Sequence, residues 1–183
     1  MTFQTFKNSI LAVALFMTAT VSINAQEPVP MQALIGQSLS KIEPSKPETM
    51  LNCIAELKRI DAMFPDSIPP KYQVALLSLN FSVMNPHAEQ TDNLLAEAEQ
   101  TIGQMEKMKN ADGSDVSTLR GFLYMVRIVQ NPAQNGQRYY IDVMQNYEKA
   151  LKLNPDNKLA KQLQQKFLEG MRQATDEKRR ESN

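Results

Sequence analysis

Cysteine, histidine and tryptophan are nearly missing from this chain, which has one Cys, one His and no Trp in 183 residues. A lone Cys53 excludes an internal disulfide. A lone His87 leaves no set of His and Cys at ligand spacing for a metal, and any Ser-His or Cys-His nucleophile pair would have to use it. Neither Ser82 nor Cys53 sits in a motif that supports one. Glycine is scarce too: Gly36, Gly103, Gly113, Gly121, Gly136 and Gly170 stand isolated, so there is no Gly-rich phosphate loop. Charge of one sign is also lacking, with 20 Lys plus Arg against 20 Asp plus Glu. That removes the basic face of a nucleic-acid binder and the acidic run of a polyanion mimic. These absences point away from an enzyme, with no cofactor and no metal expected. Glu97 and Glu99 read as the wet side of a helix, and His87, directly after Pro86, as a solvated residue at a helix start.

What remains is rich in Ala, Leu, Met, Glu, Gln and Lys, all good helix formers, at a length that normally makes one domain with a real core. The first 25 residues stand apart. Lys7 precedes an unbroken apolar run from Ile10 to Met17, and a more polar end closes on Ile23-Asn24-Ala25. This is the layout of a secretory signal peptide, cleaved between Ala25 and Gln26. The run is shorter than the roughly 20 apolar residues that span a bilayer. Its removal takes Lys7 and no acid, leaving 19 basic against 20 acidic residues and no membrane span. Export to the periplasm or beyond without a disulfide means that the core alone must hold the fold. Cys53 fits as a small apolar filler.

Residues 26–30 read as an extended leader with two prolines, and apolar spacing then marks seven helices. Met31, Leu34, Ile35, Leu39 and Ile42 form the first. Ser45-Lys46-Pro47-Glu48 has capping-box spacing ahead of the second, which carries Met50, Leu51, Ile54, Leu57 and Ile60. The third starts near Pro69-Pro70 and is apolar nearly all round from Val74 to Phe81, which predicts a central helix covered on several sides. Asn85-Pro86 ends it and can cap the fourth, with Leu94, Leu95, Ala98, Ile102 and Met105. The fifth holds Leu119, Phe122, Leu123, Val126 and Val129 and stops at Asn131-Pro132, with Asn135-Gly136 as a further turn signal. The sixth places Tyr140, Val143, Met144, Tyr147, Ala150 and Leu151 on one stripe before Asn154-Pro155. The seventh buries Ala160, Leu163, Phe167, Leu168 and Met171, and 174–183 is a polar tail with nothing to bury, expected to fray.

The helices recur with a period near 43. Small residues fall at Gly36, Ser78 and Gly121, and larger ones three positions on at Leu39, Phe81 and Tyr124. Ala62, Met105 and Ala150 mark the even-numbered helices, and Asp66, Asp112 and Asp156 the turns that leave them. A small residue on a first helix lets its partner approach closely. In the last unit, about 117–160, Gly121-x-x-Tyr124 and Tyr147, Ala150 and Pro155 together resemble the tetratricopeptide repeat (TPR), a helix-turn-helix unit of 34 residues. The longer period also suits HEAT-like or armadillo-like repeats, but the Tyr147, Ala150, Pro155 set favours the TPR. Gly121 to Val143 spans 22 positions where the TPR pattern has about 12, which predicts longer helices or longer inner loops.

The resemblance, to exported bacterial TPR proteins, implies an all-α fold. Its form would be a right-handed stack of three helical hairpins over 31–173, closed by a C-terminal capping helix. It also implies a non-enzymatic interaction module holding a protein or peptide in a concave groove. Arg120, Tyr124 and Arg127, at i, i+4 and i+7 of the fifth helix, share one face and are candidates to clamp a carboxylate there. Tyr139 and Tyr140 are weaker candidates, at least one of them expected in the core. The eleven methionines and the apolar third helix also allow another reading, a helical carrier of a small apolar ligand.

Overall fold

A computed structural model describes residues 29–181. The predicted cleavage point at Ala25 and Gln26 and most of the leader lie outside these residues. Seven helices follow in order: α1 Val29–Leu39, α2 Pro47–Met63, α3 Ile68–Met84, α4 Thr91–Met105, α5 Gly113–Gln130, α6 Pro132–Leu153 and α7 Lys158–Glu181. Among the described residues there is no strand, and no helix is long and apolar enough to cross a membrane.

Turn chemistry sets most of the breaks, although not always as the sequence suggests. Ser45 does not cap α2. Lys46 holds the cap position without a side-chain bond, and Thr49 organises the turn instead. Its hydroxyl donates to the Lys46 carbonyl at 2.7 Å and accepts from the Glu43 amide at 2.9 Å. Asn85 closes α3, yet α4 starts only at Thr91, whose hydroxyl reaches back to the Asn85 carbonyl. Asp112 caps α5 as its side chain accepts from the amides of Ser114 and Asp115.

The long third hairpin consists of helix rather than loop. Asn131 alone separates α5 from α6, ending one and capping the other, and α6 runs straight through Asn135-Gly136. The turn signal is overridden because Asn135 is used inside the helix, where its side-chain amide donates to the Arg127 carbonyl at 2.7 Å. Helix also replaces the extended leader at Val29 and Pro30. At the other end α7 continues to Glu181, past the point where a frayed tail was expected, although 172–176 are exposed.

α3 is central, as its composition predicts. It packs against α2, α4 and α5, and every residue from Val74 to Val83 is buried. α5 in turn packs against α3, α4, α6 and α7. Two apolar clusters result. One joins α1 and α2 to α3 through Met31, Cys53, Leu57, Leu77 and Phe81. The larger joins α3 through α7 by way of Leu79, Ile102, Phe122, Leu123, Tyr147 and Phe167. Each fully buried Leu or Phe of these clusters stabilises the fold by about 1.5–3 kcal/mol.

Two polar ties pin the helix ends. The ammonium of Lys71, at the start of α3, is buried and donates to the Asp61 carboxylate at 2.6 Å and the Pro65 carbonyl at 2.7 Å. Asn157 joins three helices. Its side-chain oxygen caps α7 by accepting from the Ala160 amide, and its Nδ2 reaches Ser114, Asp115 and Thr118 at the start of α5. Ser114 completes the tie by donating to the Ala150 carbonyl of α6 at 2.8 Å.

Candidate functional site

The repeat-signature residues of the last unit meet as a packing seam. Gly121 of α5 faces the ring of Tyr147 of α6, and an added Cβ would lie 2.8 Å from its Cε1. Tyr147 and Ala150 are wholly buried. The Tyr147 hydroxyl donates to the Met125 sulfur at 3.8 Å, and burial pushes its pKa well above the ordinary value. Pro155 stands in the exposed turn before α7. Gly36, offered as the first copy of this small residue, is exposed with open space around it, so the seam does not recur there.

The arginine stripe is engaged within the chain. Arg120 meets Glu106, the residue that closes α4, through two nitrogens, Nε at 3.2 Å and Nη2 at 2.7 Å. Arg127 meets Glu99 of α4 through Nη2 and donates from Nη1 to the Tyr139 hydroxyl at 3.2 Å. Burial opposes its charge, but the bond to Tyr139 and the nearby Glu99 outweigh that and raise its pKa. Both guanidinium groups thus bind α5 to α4. The ring of Tyr124 stacks on that of Tyr139, with centroids 5.4 Å apart and planes at 16°.

The acids of α4 reach helices on two sides. Glu97 pairs with Lys58 of α2 at 2.7 Å, Glu99 and the helix-closing Glu106 pair with α5, and Asp92 accepts from Gln130. The acids that look like a plain solvated face are the anchors of interhelical pairs. Exposed pairs of this kind contribute about 0–1 kcal/mol each, so they set orientation more than stability.

Neither tyrosine at the start of α6 is buried. Tyr139 is half-buried on Tyr124, and Tyr140 is exposed with its ring 5.5 Å from that of Phe167 on α7. Reading the stripe on α5 alone missed Arg138, one turn before Asp142. Its guanidinium carbon lies 5.1 Å from the centroid of the Tyr139 ring, where Arg127 also approaches at 5.6 Å. A signal for it exists in the sequence: Val116 to Ile141 contains no acid but three arginines, Arg120, Arg127 and Arg138.

Elsewhere the chemistry is quiet. Among the described residues no three His, Cys, Asp or Glu side chains converge as a metal site. His87 is exposed in the α3–α4 turn. Cys53 is buried, and burial, with Glu56 nearby, pushes its thiol up to about 11. Met31, Met50, Met105 and Met125 belong to the core.

No family model matches the chain, and no curated protein or solved structure matches it either.

Proposed function

We propose that the chain is an exported, non-enzymatic TPR-like module that binds a protein or peptide. Its three hairpins are α1–α2, α3–α4 and α5–α6, with α7 as the cap. The observation that carries this reading is one packing relation repeated over the last two hairpins and the cap. α3 lies against α5 and α5 against α7, while each even-numbered helix folds back on the odd one before it. The Gly121–Tyr147 seam supplies the motif that resembles the family. A stack of this kind is built to present surface.

Two experiments test it. Amino-terminal sequencing of the protein recovered from its source organism should start at Gln26, and an intact Met1 terminus would defeat the exported reading. Affinity capture through a C-terminal tag from the extracytoplasmic fraction should return a stoichiometric protein partner. Recovery of the protein alone, or of turnover on a small molecule, would defeat the adaptor reading.

A further inference from the structure

The first half of α6 lies along α5 but leaves its outer side open. From Pro132 to Asp142 no side chain of α6 is buried, and Val143 is the first that is. Asn135 and Tyr139 are half-buried against α5, where Asn135 bonds the Arg127 carbonyl and the Tyr139 ring leans on Tyr124. The outer side is acid-free from Pro132 to Ile141 and exposes the amides of Gln134 and Gln137, the guanidinium of Arg138 and the side chain of Ile141, at i, i+3, i+4 and i+7.

Arg138 differs from its two neighbours. Arg120 and Arg127 are fixed on Glu106 and Glu99, but among the described residues Arg138 has no acidic partner. It is still not a loose side chain, since it rests on the Tyr139 ring. That ring is itself held by Tyr124 and by the Arg127 nitrogen. Stacking removes rotamer freedom before a ligand arrives, so less is lost when the fork of nitrogens takes a carboxylate. Ile141, 61% exposed and at i+3 from Arg138, adds apolar area on the same face.

We propose that the outer face of α6 at this hairpin tip, Gln134 to Ile141, is where the module docks an extended acidic segment of a partner protein, with a carboxylate seated on Arg138. The site rests on the adaptor reading and replaces the groove as its address. A chain segment suits the tip better than a compact anion does, because Gln134, Gln137, Arg138 and Ile141 lie along one face of the helix rather than around one point.

The test is fluorescence anisotropy with a labelled twelve-residue peptide of alternating Glu and Ala, its Gln-Ala counterpart, and the full chain. The Glu peptide should bind at least tenfold more tightly than the Gln peptide. Arg138→Glu should abolish that preference and Arg138→Lys should keep part of it. Lys161→Glu, at an exposed position of α7, should leave it intact. Inorganic phosphate at millimolar concentration should not displace the peptide. Equal binding of the two peptides, an unchanged Arg138→Glu variant, or displacement by phosphate would each overturn the proposal. Affinity capture separates this failure from that of the wider reading: a partner retained equally by Arg138→Glu sinks the tip and leaves the adaptor standing.

Discussion

The edge of the Tyr147 ring sits over Gly121 at a separation that admits no side chain. A Cβ there would meet Cε1 at 2.8 Å and Cδ1 at 3.0 Å. Neither ring nor backbone has room to give, since Tyr147 is wholly buried between α5 and α6. We expect Gly121→Ala to cost about 1–3 kcal/mol through overpacking, despite Ala being the better helix former. Urea unfolding followed by circular dichroism checks this, and an unchanged midpoint would show that the seam is softer than described.

Ser78 occupies the related place on α3, but there the hydroxyl is the burden. The Oγ atoms of Ser78 and Ser82 are buried without a hydrogen-bond partner. Removing an unsatisfied buried hydroxyl relieves a cost of about 1–3 kcal/mol. Ser78→Ala and Ser82→Ala should therefore raise the unfolding midpoint or leave it unchanged. Ser114→Ala should lower it, because Ser114 bonds both Ala150 and Asn157.

Asn157 is where α7 is fastened. Replacing it with Ala removes the cap on Ala160, worth about 0.5–2 kcal/mol, and also leaves Thr118 and Ser114 short of a partner. Hydrogen exchange should accelerate across the first turns of α7 before the α3–α5 core is affected. Uniform acceleration throughout the chain would instead mean that α7 and the core open together.

Asp115 should give stability a pH dependence of unusual sign. Burial raises its pKa above the ordinary 3.8, and nearby Asp112 adds to this, while the bond from Asn157 works the other way. The folded state therefore holds this proton more tightly than the unfolded state does. Stability from the group is present below the unfolded value and falls as pH rises through the folded one. Asp115→Asn keeps an acceptor for Asn157 and removes the charge. Its stability relative to wild type should thus improve from pH 3.5 to pH 7, and a difference independent of pH would rule out Asp115 as the source.

Cys53 should be inert in the folded protein. With its thiol pushed up to about 11 by burial, it should react with Ellman's reagent only as fast as the chain opens. Fast labelling in native buffer would contradict its place between α2 and its neighbours.

Seven helices and the central place of α3 were legible because apolar spacing and proline act locally, and both survive packing here. Gly121 was legible as a point of close helix approach, but the large residue that fills the space over it is Tyr147 of α6 and not Tyr124 three residues on. Three features were not. The helical run through Asn135-Gly136 depends on Asn135 reaching Arg127, and turn propensity is silent about such a partner. The Ser45 box goes unused because Thr49, inside the first turn of α2, ties down the incoming chain at Glu43 and Lys46 instead. The arginine stripe was found, but its partners Glu99 and Glu106 lie 28 and 14 residues away. Only tertiary structure could show that these arginines were already engaged.

Asn131 is a single residue joining two long helices, with its own side chain accepting from the Gln134 amide. A connection so short has no slack, and α6 is roughly 33 Å long at 1.5 Å per residue. The outer end of the hairpin is therefore held in fixed register with the far end, where Ser114 and Asn157 knot three helices together.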